Sequence, residues 1–112
     1  MTKKKTDLDQ LRALILQHPG ASLEQIARLL GRERHCIERH VRVATGLSYR
    51  RHRLSILMGQ AADELCHTID PVKVIADRLG YGVGSSRNFV AAFKRCFNVS
   101  PTAFRQRHRG TR

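Results

Sequence analysis

His35, Glu38, Arg39 and Arg42 fall at positions i, i+3, i+4 and i+7, so on a helix they share one face. That face carries imidazole, carboxylate and guanidinium groups side by side, a set suited to hydrogen bonding with base edges. Arginine donates in pairs to guanine O6 and N7, and glutamate accepts from cytosine N4. Either arginine would serve equally as a phosphate contact, which carries no sequence information. A second role is open to Glu38, orienting Arg39 or Arg42. Further along, Asn88 suits adenine N6 and N7, or the backbone of its own helix start. Val90 suits a thymine methyl group.

The charge of the chain agrees with such a partner. Lys and Arg total 21 against 9 acidic residues, a formal net charge of +12, which calls for a polyanion. Arg50, Arg51, His52 and Arg53 form a basic cluster just after the first reading face and are expected to clamp phosphate. Positive charge in a first helical turn opposes the helix dipole, and a phosphate would offset that cost. Arg32, Arg34, Lys94 and Arg95 complete the phosphate candidates. No segment is apolar long enough to span a membrane, and the charged start from Met1 to Asp7 lacks the apolar stretch of a signal peptide. A cytoplasmic protein is expected.

Other chemistries find little support. No nucleophile–base pair, carboxylate dyad or phosphate-cradling loop stands out, so no enzyme is expected. Gly80, Gly82 and Gly84 follow a predicted helix rather than a strand, which excludes a dinucleotide fingerprint. Cys36 and His40 stand at i, i+4, but no second pair of comparable spacing completes a zinc site, so neither metal nor cofactor is expected. The cysteines number 3, with no CxxC, which fits reduced thiols. Cys96 lies on a predicted core face and Cys36 lacks a partner, against redox sensing. The few aromatic residues argue against a stacking surface for single strands.

Helical periodicity positions these residues. Leu8, Leu11, Ile15 and Leu16 predict a first helix over 7–17, stopped by His18-Pro19-Gly20. Ser22 and Gln25 form a capping box for a second helix whose stripe is Leu23, Ile26, Ala27 and Leu30, with Gly31 ending it. A third helix runs from about 33 to 44, with Ile37, Val41 and Ala44 inward and Gly46 closing it. Ser48 caps a long fourth helix to about Cys66, with Leu54, Leu57, Met58, Ala61 and Leu65 on its apolar side. Asp70 as cap and Pro71 as first residue open a fifth helix with Val74, Ile75 and Leu79 inward. Ser85 or Ser86 caps a sixth over about 87–97, burying Phe89, Ala92, Phe93, Cys96 and Phe97. Ser100-Pro101 starts a last short helix anchored by Phe104. No strand pattern appears, so the expected class is all-α, with about seven helices.

Within this series a motif recurs. Ile26-Ala27-Arg28-Leu29-Leu30-Gly31 returns as Ile75-Ala76-Asp77-Arg78-Leu79-Gly80, and Gly46-Leu47-Ser48 returns as Asn98-Val99-Ser100. A short helix ending in Leu-Gly, a turn and a second amphipathic helix is the shape of a helix-turn-helix. The expected organisation is a disordered basic tail (1–6), a first helix-turn-helix subdomain (7–47), a linker helix (48–66), a second helix-turn-helix subdomain (67–107) and a basic tail (108–112).

From about residue 8 to 107 the chain resembles the DNA-binding domain of the AraC/XylS family of bacterial transcription regulators. The likeness is carried by Ile75-Ala76, Leu79-Gly80-Tyr81, Phe89, Phe93-Lys94, Phe97-Asn98-Val99-Ser100-Pro101 and Phe104-Arg105. The first half agrees through Ile26-Ala27, Gly31, Ile37-Glu38-Arg39, Gly46 and Ser48, and Ala61 and Leu65 match the linker helix. The resemblance implies two recognition helices, 33–44 and 87–97, entering successive major grooves of double-stranded DNA. By position in the family motif, base contacts would come from His35, Glu38, Arg39 and Arg42 in the first, and from Ser86, Arg87, Asn88, Val90 and Ala91 in the second. Half-sites roughly 34 Å apart would give a monomer a site of about 20 base pairs. Activation through RNA polymerase and association with the bacterial nucleoid follow from the resemblance alone. Three positions depart from the family: the turn from Gly80 to Phe89 is longer than usual, Leu57 replaces a common Arg, and His52 replaces a common aromatic. A misplaced second helix would leave mainly phosphate contacts, the behaviour of a non-specific architectural or RNA-binding protein. A protein-interaction module, with charge aiding only solubility, is the remaining alternative.

Overall fold

The computed structural model describes residues 7–82 and 85–109. Its regular elements are α-helices throughout the described residues: α1 (Asp7–Gln17), α2 (Leu23–Leu30), α3 (Arg34–Thr45), α4 (Tyr49–His67), α5 (Val72–Arg78), α6 (Ser86–Phe97) and α7 (Pro101–Arg109). Of the tails expected at 1–6 and 108–112, residues 1–6 and 110–112 lie outside the described residues; His108 and Arg109 instead belong to α7. The chain divides into two compact units between Ile56 and Leu57, within α4.

In the first unit, local chemistry sets the helix ends. The Ser22 hydroxyl accepts from the Gln25 N–H at 3.2 Å, and the Gln25 side chain accepts from the Ser22 N–H at 2.8 Å. This reciprocal box satisfies two donors that α2 would otherwise leave open. Gly46 ends α3 at φ 79, ψ 0, a left-handed geometry that costs other L-residues about 1–2 kcal/mol. Leu11, Ile15, Ile26, Ala27, Ile37, Val41, Tyr49 and Ile56 are the buried apolar residues of this unit. Ala44, expected among them, is exposed: α3 buries its i, i+4 pair Ile37 and Val41, and its last turn runs past that core.

The second unit buries Leu57, Met58, Ala61, Leu65, Ile75, Ala76, Leu79, Phe89, Ala92 and Phe93. Leu54 is only half-buried, and Ile56, unforeseen, is buried. Helix α5 starts one residue later than expected. The Pro71 carbonyl accepts its first helical bonds, from Val74 and Ile75, while the Asp70 carboxylate pairs with Arg78 at 2.7 Å instead of capping. Arg78 also pairs with Glu64 of α4. Val74 is 40% exposed, and Ala76 takes the core place expected of it. Cys96 is likewise exposed, because α6 continues its core through Phe97, which stacks on Phe93 with centroids 4.6 Å apart.

Each unit repeats one tie. In the first, the Arg53 guanidinium donates to the Pro19 carbonyl just beyond α1. In the second, Arg105 donates to the Leu65 and Thr68 carbonyls at the end of α4, both at 3.2 Å. Arg53 and Arg105 stand at the same place after Ser48 and Ser100. A cation there satisfies carbonyls that a helix end leaves open and suits its negative dipole.

His52 gives the first unit a pH dependence. Its Nε2 is buried with no partner among the described residues. Burial, and then the nearby Arg12 charge, hold its pKa below 6.5. The unfolded chain binds a proton that the folded chain resists, so this stability is present above about pH 6.5 and is lost as pH falls through the lower folded value. Denaturation midpoints should drop between about pH 7 and pH 5, and His52→Gln should reduce that slope. An unchanged slope in the variant would assign the acid sensitivity to other groups.

Candidate nucleic-acid interface

Helix α3 buries Ile37 and Val41 and turns its opposite side outward. His35, Arg39 and Arg42 are exposed and Glu38 is half-buried. These four line an open concavity of about 420 Å³ together with Ser48 and Tyr49. The packing of α3 on α2 therefore gathers the four residues on one surface. Gly46 reverses the chain, and the start of α4 supplies the far wall.

Ser48 and Tyr49 were not among the sequence candidates. The signal for them was available: a helix cap two residues beyond Gly46 must return the chain beside the end of α3. The Ser48 hydroxyl accepts from the Arg51 N–H at 3.2 Å. The Tyr49 hydroxyl is buried without a partner among the described residues. Burial raises its pKa, against a lowering by Arg53.

Electrostatics divide the arginines of this unit. Arg34 pairs with Glu24 at 3.3 Å and with Glu38 at 3.6 Å, linking α2 to α3. Glu38 therefore has Arg34 as its partner, not Arg39 or Arg42 as the sequence suggested, because the i−4 position lies within reach along the helix. Arg39, Arg42, Arg50 and Arg51 have no carboxylate partner among the described residues. They leave uncompensated positive charge on α3 and the first turn of α4. Arg32 is exposed beside Gly31. Arg53, expected in the phosphate clamp, is half-buried and points at the Pro19 carbonyl. A carbonyl left open at the end of α1 claims its donors.

In the second unit, α6 exposes Arg87, Asn88, Ala91, Lys94 and Arg95 and leaves Ser86 and Val90 half-buried. Of the five sequence-predicted base contacts here, Arg87, Asn88 and Ala91 lie exposed in its first turns, on the side away from Phe89 and Phe93, whereas Ser86 and Val90 flank that buried side. Ser85 is its cap residue, but its side chain makes no capping bond; the Ser85 carbonyl accepts from Asn88 and Phe89. The preceding turn enters through Gly80 at φ 92 and Gly82 at φ 70. The rest of the glycine turn, 83–84, lies outside the described residues.

The two units thus each hold a short helix, a turn and an amphipathic helix with an outward basic and polar side. A helix-turn-helix domain model matches residues 26–107. The chain is 33% identical over 98 residues to the urease operon transcriptional activator of Escherichia coli, covering 86% of this chain and 32% of the activator. It therefore spans about a third of the length of that relative. The C-terminal domain of AraT, a response regulator from Geobacillus stearothermophilus, shares 28% identity at a TM-score of 0.77, over 94% of this chain and 88% of that one. The DNA-binding domain of the global transcriptional factor AdpA, solved with a target DNA, has the same fold: TM-score 0.79 at 24% identity, over 96% of this chain and 97% of that one. With the family model spanning both helical repeats, the chain belongs to the AraC-type helix-turn-helix family.

Proposed function

We propose that the chain binds double-stranded DNA sequence-specifically as the DNA-reading part of a transcription regulator. The observation that carries this reading is the concavity of α3, where Arg39 and Arg42 face outward and, among the described residues, pair with no carboxylate. Guanidinium groups presented this way match guanine edges in a major groove. Its relatives support the reading: one is a transcriptional activator, and another was solved on its target DNA. In this proposal α3 and α6 enter successive major grooves and a monomer covers about 20 base pairs. Arg50, Arg51, Lys94 and Arg95 supply phosphate contacts, and affinity falls steeply with salt. Contact with RNA polymerase and a place at the nucleoid belong to the same proposal. So does the view that the chain is a binding module without catalysis. Among the described residues no helix is long and apolar enough to cross a membrane.

The test is to incubate the protein with fragmented genomic DNA near physiological salt and sequence what is retained. An enriched motif of two blocks about one helical turn apart is the expected result. One block alone would restrict reading to a single helix. Binding without enrichment would replace the proposal with a non-specific architectural role, and no binding would favour a protein-interaction module.

A further inference from the structure

At the start of α3 three side chains of different chemistry converge. Glu33, His35 and Cys36 are exposed, and their carboxylate, imidazole and thiol ligand atoms all lie within 4.8 Å of one another. The Glu33 carboxylate is 3.2 Å from His35 Nε2. We propose that these three residues bind one divalent cation of the zinc class.

The local structure leaves the ligands available. Glu33 occupies the cap position of α3 but makes no capping bond, unlike Ser22, whose side chain is used fully in its capping box. The Glu33 carboxylate is thus directed to His35 rather than to backbone. Arg34, which lies between Glu33 and His35 in sequence, is held by Glu24 and Glu38, which offsets its share of the positive charge that would repel a cation. Carboxylate, imidazole and thiolate form a donor set that zinc accepts, with bonds of about 2.0–2.3 Å. The ligand atoms must close by roughly 1 Å to meet such bonds. Side chains as open as Glu33 (75% exposed) and His35 (69%) reach that by rotation. Binding takes up the thiolate, and the thiol proton goes to solvent. Three protein ligands leave a fourth position for water.

The site shares His35 with the concavity on α3. A cation on His35 Nε2 withdraws that nitrogen from a base edge, a consequence that rests on the DNA-binding proposal. The binding itself does not rest on it.

Titration of the full chain with Co²⁺, reduced and without DNA, tests the site. A thiolate-to-cobalt absorption band in the near ultraviolet, saturating at one equivalent and abolished by added Zn²⁺, is expected. It should vanish in Cys36→Ser, persist in Cys66→Ser and Cys96→Ser, and need more than about tenfold more Co²⁺ in His35→Ala. Circular dichroism of each variant checks that the helices are intact. No band, a band surviving Cys36→Ser, or equal affinity in His35→Ala would overturn the proposal. A band in a protein that retains no DNA would leave the metal site standing and remove the DNA reading alone.

Discussion

Alanine at both Arg39 and Arg42 should nearly abolish specific DNA binding while leaving the helical spectrum unchanged. Each good bidentate arginine contact contributes about 1–3 kcal/mol of discrimination. Both side chains are exposed on α3 and neither has a carboxylate partner among the described residues, so their removal takes nothing from the fold. The pair lines a single concavity, and neighbours that share a target do not add independently. The double variant should therefore lose less than the sum of the singles. Arg34→Ala is the control: its guanidinium is committed to Glu24 and Glu38 on the surface, and such pairs contribute about 0–1 kcal/mol. Affinity for a selected site and for random duplex should be measured in one buffer. Equal losses on both duplexes would reassign the pair to phosphate contacts.

Phe93→Ala should destabilise the second unit by about 3–5 kcal/mol. Phe93 is fully buried. Its ring contacts Phe89, Phe97 and Phe104, with centroids 6.0, 4.6 and 5.3 Å away. Truncation removes the centre of a cluster that joins α6 to α7 and leaves a cavity that rigid neighbours close only in part. Total stabilities of small domains are about 5–15 kcal/mol, so the loss should be plain in urea midpoints. Phe97→Ala, at a half-buried position, should cost less. A Phe93→Ala midpoint shifted by the equivalent of less than about 1 kcal/mol would show that the cluster collapses to fill the gap.

The helices and the Ser22–Gln25 box were legible in the sequence because their causes are local: apolar spacing, a cap residue and a glycine at the turn. The outward placement of His35, Arg39 and Arg42 was legible for the same reason, since it follows from which side of α3 carries Ile37 and Val41. What periodicity does not resolve is which of two adjacent residues meets a neighbour. Cys96 and its neighbour Phe97 stand about 100° apart on α6, and only the packed partner decides which of them is covered. Charged side chains were less legible still. Arg53 reads as one member of a basic run until the open carbonyl at Pro19 is in place, and Asp70 reads as a cap until Arg78 comes beside it. Ligand atoms from Glu33, His35 and Cys36 converge only after the chain bends into α3; sequence spacing instead drew attention to Cys36 and His40.

The two outward helix sides also differ from each other. Helix α3 exposes His35, Arg39 and Arg42 beside the half-buried Glu38, whereas α6 exposes Arg87, Asn88, Ala91, Lys94 and Arg95, a different set in a different order. Dimeric readers with identical halves require pseudo-palindromic sites. A single chain with two unlike halves has no such twofold, so under the proposed function its site reads differently forwards and backwards. The bound protein would then face one way along the duplex, and reversing the site would turn the whole molecule around relative to a promoter.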